Sequence, residues 1–151
     1  MTTWNHPFST PAGGRPDGAP VSARIAVSEA MHHGVLGCAP ETSLAEVAWL
    51  MATHRVHCVV VADEPREGGR PRGIVSDLDL VAAASVRDLD EQSAGATCAS
   101  EALTITPVDS LQRAAQLMTE HAAAHLLVVD GEGRPTGVLS TLDVAAALAR
   151  R

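Results

Sequence analysis

The sequence repeats itself. Pro40, Leu44, Met51 and Asp63 return as Pro107, Leu111, Met118 and Asp130, each 67 positions later. Gly73, Ser76 and Asp79 return as Gly137, Ser140 and Asp143, each 64 positions later. The slip of three falls between Asp63 and Gly73, which are ten residues apart where Asp130 and Gly137 are seven apart. Insertions belong in loops, so the slip supports the alignment. A duplication of this length constrains the fold more than any single motif, because each copy is one supersecondary unit that buries its apolar surface against a neighbour.

Each copy reads as short strand, helix, strand, strand, helix. Leu44, Val47, Ala48 and Met51 follow the i, i+3, i+4, i+7 spacing of a buried helical stripe, and Leu111, Ala114, Ala115 and Met118 repeat it. Ser43 with Glu46, and Asp109 with Gln112, have the form of N-terminal capping pairs, one register apart. Residues 56–62 and 125–130 are β-branched-rich runs that end in turn signals, as buried strands do. The turns are residues 65–71 in the first copy and Asp130, Gly131, Glu132 and Gly133 in the second. Strands at 73–76 and 137–140 then run into helices beginning near Asp77 and Thr141. Leu78, Val81 and Ala82 match Leu142, Ala145 and Ala146 on one helical face, expected to be packed. The fold class is therefore α+β (mixed α/β), with a disordered leader at 1–20, a first repeat at 21–90 and a second at 91–151. The leader is expected from Pro7, Pro11, Pro16 and Pro20 with Gly13, Gly14 and Gly18, a composition too poor in apolar surface to offset ordering entropy.

Composition excludes several function classes. Trp4, Phe8 and Trp49 are the only aromatic residues, so the core must be built from Val, Leu, Ala and Met. A net charge of −7 without a Lys/Arg cluster argues against nucleic acid. No apolar run approaches the roughly 20 residues of a membrane span, and the N-terminus lacks a secretory pattern. Cys38, Cys58 and Cys98 are odd in number and form no C-x-x-C pair, which fits a reducing cytoplasm. The paired histidines His32 and His33, His54 and His57, His121 and His125 invite a metal reading. His125 is expected to begin a strand, however, and no nearby carboxylate or Cys completes a ligand set. No Gly-x-Ser-x-Gly elbow or P-loop is present, and His57 and Cys58 are adjacent in a strand, facing opposite ways. No catalytic residue, metal or required cofactor is expected.

Chemistry concentrates instead at the repeated strand-to-helix junctions. Gly73 and Gly137 lack a Cβ, so a ligand or a neighbouring backbone can approach the strand. Ser76 and Ser140 stand where free N–H groups and the helix dipole favour an anion such as phosphate. Asp79 and Asp143 follow at i+3 on the same side, where a carboxylate can accept hydrogen bonds from two ribose hydroxyls. The same residues also fit plain N-caps with acids at the positive helix end, and both readings are open at this point. Arg55, Arg113 and Arg134 are candidate phosphate partners or exposed surface cations.

The segments Gly73-Ile74-Val75-Ser76-Asp77-Leu78-Asp79 and Gly137-Val138-Leu139-Ser140-Thr141-Leu142-Asp143 resemble the signature of the cystathionine-β-synthase (CBS) domain family, a β-α-β-β-α unit of roughly 60 residues that occurs in tandem. The resemblance spans about residues 27–150. It implies a stand-alone tandem pair, or Bateman module, with pseudo-twofold symmetry and two clefts between the repeats that take adenosine nucleotides in many members. It implies ribose and phosphate contacts at Ser76, Asp79, Ser140 and Asp143. By position it implies base pockets at Leu36, His57, Cys58 and Val59 and at Leu103, His125 and Leu126. The function expected is a cytoplasmic regulatory sensor of AMP, ADP or ATP, with S-adenosylmethionine a lesser candidate, forming a homodimer and acting on an unidentified protein partner in trans. The alternative is a dimerisation or scaffold module with empty clefts. Asp77 adds negative charge beside Ser76 where the second copy has neutral Thr141, so the second cleft is expected to take the more phosphate-rich ligand.

Overall fold

The computed structural model describes residues 18–65, 69–98 and 102–150. Most of the 1–20 leader, and residues 66–68 of the first turn, lie outside the described residues.

In the first copy, β2 (Gly37–Cys38) leads to helix α1 (Leu44–His54), then β3 (Cys58–Ala62), β4 (Pro71–Ser76) and helix α2 (Asp77–Ala84). A short helix α3 (Ala94–Thr97) precedes the second copy, which runs β5 (Thr104–Ile105), α4 (Leu111–His121), β6 (His125–Val129), β7 (Pro135–Ser140) and α5 (Thr141–Ala149). This is the expected α+β order in both copies. Helix α1 starts at Ser43, whose Oγ accepts from the Glu46 N–H, and ends at Arg55 in the left-handed region (φ 53°). Helix α4 starts at Ser110 and ends at Ala122 (φ 50°), each 67 residues on. The Asp109 cap expected from sequence is thus corrected to Ser110, whose Oγ accepts from the Arg113 N–H. Asp109 accepts instead from the N–H and hydroxyl of Thr106, closing the preceding turn. The two left-handed caps carry no Gly, so neither was signalled.

In each copy the first strand pairs parallel, and the last antiparallel, with the middle one. The middle strands are buried on both faces, and alternation divides the labour. Val59, Val61 and Val75 point into a core with Leu44, Val47 and Met51 of α1 and Leu80 and Ala83 of α2. Leu126, Val128 and Leu139 do the same with Leu111, Ala114 and Met118 of α4 and Val144 of α5. The opposite sheet faces meet: Val60 packs with Leu127 and Val129, flanked by Ile74 and Val138. Val60 and Leu127 are 67 apart, so the halves join about a pseudo-twofold. The core is aliphatic, and Trp49 is exposed. Each fully buried Leu or Val contributes about 1.5–3 kcal/mol relative to exposure.

The halves also exchange their leading segments. Residues 21–33 run along the second half: the Val27 and Ser28 N–H groups donate to the Asp109 and Pro107 carbonyls, and the Leu111 N–H donates to the Ile25 carbonyl. Reciprocally, the Ala94 and Gly95 N–H groups donate to the Thr42 and Pro40 carbonyls, and the Leu44 N–H donates to the Gln92 carbonyl. Every partner is displaced by 67. Accordingly Ile25, Val27 and Met31 belong to the second core, and Ala94 to the first. Strand β1 (His32–His33) completes the exchange by pairing antiparallel with β7, giving a sheet ordered β1-β7-β6-β5 beside the sheet β2-β3-β4.

One face was misjudged. Leu78 (72% exposed), Val81 (67%) and Leu142 (71%) lie outside the core, because Leu80, Ala83 and Val144 are the residues turned inward. Starting each helix at the residue after the Ser cap fixes the inward stripe, and an apolar count alone does not reveal it.

Candidate functional site

Both repeated motifs form the same local structure. Ser76 Oγ accepts from the Asp79 N–H at 3.2 Å, and Asp79 Oδ2 accepts from the Ser76 N–H at 2.8 Å. Ser140 Oγ accepts from the Asp143 N–H at 3.1 Å, and Asp143 Oδ2 accepts from the Ser140 N–H at 2.8 Å. These reciprocal capping boxes lock each acid over the first turn of its helix. Each carboxylate keeps a second oxygen. That of Asp79 has no hydrogen-bond partner among the described residues, whereas Asp143 Oδ1 lies 2.9 Å from His32 Nε2, an ion-pair contact from the other half.

The junctions sit at the seam between the halves. Cys58 pairs with Ser76 across β3 and β4, and His125, 67 residues on, pairs with Ser140 across β6 and β7. Burial, then the charges of Asp77 and Asp143, push the Cys58 thiol up to about 11. Burial holds His125 below its ordinary value against the pull of Asp77, and the charge of His57 adds to the lowering while Asp143 and Asp79 oppose it. Acids from both halves thus act on each group, and burial keeps both neutral. The motifs converge on one region rather than lying on separate surfaces.

The two mouths differ in the groups that take their helix-start N–H groups. At the first, the Asp77 N–H donates to the His57 carbonyl, and the Leu78 N–H donates to Asp77 Oδ1 at 2.8 Å. Asp77 Oδ2 receives His57 Nδ1 at 3.0 Å. Burial raises the Asp77 carboxyl, but the bonds from His57 and Leu78 outweigh it and hold it below the ordinary carboxylate range. A carboxylate of the chain's own therefore stands at this positive helix start. At the second mouth the Thr141 N–H donates to the Ala124 carbonyl, but no side chain of the described residues takes the Leu142 N–H.

The remaining candidates distribute as follows. His57 is exposed at the first mouth. Val59 and Leu126 have no exposed surface and face their own cores, so neither presents area to a ligand. Leu36 and Leu103 are partly buried against the same cores, and their carbonyls accept from Val60 and Leu127. Gly137 serves a backbone: a Cβ there would stand 2.2 Å from the His32 carbonyl oxygen and 2.2 Å from Met31 Cε. Arg55 and Arg113 are exposed, and Arg134 is committed to Asp130 and Glu132 of its own turn. His121 ends α4 and His125 opens β6, so the histidine pair is split. Sequence reasoning missed His32 at the second mouth, because only the exchanged strand brings it there.

A profile of the CBS domain matches residues 27–86 and 95–150. The chain belongs to the CBS domain family. It is a tandem pair, and its solved neighbours share the mixed α/β architecture. The CBS domain protein PAE2072 of Pyrobaculum aerophilum, complexed with AMP, superposes with a TM-score of 0.69 at 30% identity, covering 84% of this chain and 100% of that one. The CBS pair of protein MJ0100, complexed with 5′-methylthioadenosine and S-adenosyl-L-methionine, superposes with a TM-score of 0.73 at 16% identity, over 83% and 96% of the chains, and shows the fold alone. An uncharacterised protein of Methanopyrus kandleri is 25% identical over 122 residues, 80% of this chain and 61% of that protein. The CBS pair therefore spans about three fifths of that relative. Among the described residues no helix is long and apolar enough to cross a membrane.

Proposed function

We propose that this CBS pair is a regulatory, non-enzymatic sensor of an adenosine-type nucleotide, AMP, ADP or ATP, held in the clefts between the repeats, and that it acts on a protein partner in trans. The observation that carries the reading is the repeated acid at a helix start beside the seam, with one oxygen of Asp79 left without a partner among the described residues. A ribose diol is the ligand group that such an oxygen suits, and the helix N-terminus beside it suits an attached phosphate. The AMP complex of the Pyrobaculum relative supports the ligand class. Asp77 favours a weakly charged ligand at the first mouth, and Thr141 favours the phosphate-bearing one at the second. Ser76, Asp79, Ser140 and Asp143 are the proposed ribose and phosphate contacts. Cys58 and His125 form the floor, while His57, Leu36 and Leu103 border it.

A second reading, a dimerisation or scaffold module, draws on the exposed apolar residues Leu78 and Val81 of α2 and Leu142 of α5. Large apolar side chains exposed on these two helices are surface that a second copy would cover. A cytoplasmic homodimer through this face is compatible with either reading. Titration calorimetry with AMP, ADP, ATP and S-adenosylmethionine separates them. Heat at one or two sites per chain supports the sensor; no heat for any of the four on folded protein leaves the scaffold.

A further inference from the structure

His32 lies in the first repeat but acts on the second. Strand β1 crosses to the edge of β7, pairing His32 with Val138 and His33 with Gly137. The crossing puts the His32 imidazole against Asp143 Oδ1 at 2.9 Å. The His32 side chain is 81% exposed and that of Asp143 only 12%, so the imidazole reaches the acid from the solvent side. With Oδ2 tied to the Ser140 N–H, both oxygens of Asp143 are engaged. Asp79 has no such cover among the described residues. The residue 67 positions after His32 is Ala99, whose side chain has no donor.

Building on the nucleotide-sensing reading, we propose that His32 is a specificity-determining residue of the second cleft: it withholds Asp143 from a ribose and releases it to a ligand whose phosphate takes the imidazole in exchange. Asp143 is the third residue of α5, so the imidazole stands at the first turn of a helix whose Leu142 N–H no side chain of the described residues takes. A phosphate at that helix start meets the released imidazole, and in its protonated form the pair is charge-assisted. A nucleoside without phosphate offers the imidazole no anion, so its ribose either crowds onto Asp143 Oδ1 beside His32 or displaces His32 without that exchange. The exchange of leading segments between the halves thereby becomes part of ligand choice.

The test is titration of wild type and His32→Ala with adenosine and with AMP, read at the site that Asp143→Ala removes. His32 is exposed, so its removal leaves the core intact. Adenosine is expected to bind 3–10-fold tighter to His32→Ala, and AMP no tighter than to wild type, so the preference for AMP shrinks. An adenosine affinity unchanged within twofold, or weakened, overturns the proposal, as does equal tightening of both ligands. If AMP binds and the preference is unaltered, only the role of His32 falls. If neither ligand gives heat with either protein, the nucleotide reading falls and takes this one with it.

Discussion

At the first mouth the helix start is closed by groups of its own half: Asp77 caps the Leu78 N–H, His57 steadies Asp77, and Ser76 and Asp79 cap one another. At the second, Thr141 replaces Asp77 and Ala124 replaces His57, and the helix start keeps an N–H that no side chain of the described residues takes, while His32 of the other half stands against the acid Asp143. The backbones are the same, down to the left-handed residues 55 and 122. Duplication preserved what packing requires, namely the sheet register, the helix caps and the inward stripe. It left free the side chains that meet solvent at the mouths. Among the described residues, one helix start carries its own carboxylate at Asp77 and leaves an oxygen of Asp79 without a partner; the other has no such carboxylate and sets His32 against Asp143.

Four measurements break or sharpen this contrast. The largest effect is expected at Gly137, where β1 attaches to the second half. Gly137→Ala forces a methyl onto the His32 carbonyl and should destabilise the protein by about 3 kcal/mol, as overpacking does. Gly131→Ala has open space around its Cβ and should melt with wild type. Equal melting of the two variants would show that the crossing strand does not hold the second mouth. Next, Asp79→Ala and Asp143→Ala should each weaken ligand binding more than tenfold at one cleft only, seen by calorimetry as loss of one site. Each should also cost about 1 kcal/mol in urea unfolding, the usual worth of a helix cap. Loss of both sites in either variant would mean the clefts are not separable.

A smaller effect follows from exchanging the residues after the Ser caps. Asp77→Thr should tighten AMP at the first cleft about 3–10-fold, and Thr141→Asp should weaken it at the second to a similar degree. Asp77 is more than half exposed, so the effect stays near the surface-pair scale of about 1 kcal/mol. Unchanged AMP affinity in both would remove Asp77 as the source of the difference. The smallest effect is at His125, which stands where the first half has Cys58. Burial lowers its proton affinity in the fold, so below about pH 6.5 the unfolded chain binds the proton first and stability falls on acidification. Wild type should therefore lose up to about 1 kcal/mol more than His125→Asn between pH 7 and pH 5, measured by urea unfolding. Parallel losses would show that the buried floor does not titrate with folding.

Much of this was legible in the sequence because the signals were local and occurred twice. The helix starts at Asp77 and Thr141, the stripes ending at Met51 and Met118, and the paired Ser and Asp are each written within a few residues. Reading Asp109 as a cap failed because Asp, Thr and Ser in sequence compete for the same role, and Thr106 claimed the Asp. The burial of Leu78 and Val81 was misjudged because an apolar residue on a short helix fits either face until a sheet chooses one. His32 passed as one histidine among seven because its partner lies 111 residues away.

The sequence by itself determined that two copies of one β-α-β-β-α unit would form and where each helix would begin. Period, cap chemistry and turn residues act over distances shorter than one element. Tertiary structure alone decided that the leading segments would trade places, that Gly137 would make room for a backbone, and that a histidine of one half would stand against an acid of the other. Those outcomes depend on which surfaces meet, and a repeat with matched faces can bury them against its own copy or its twin with the same pattern of residues.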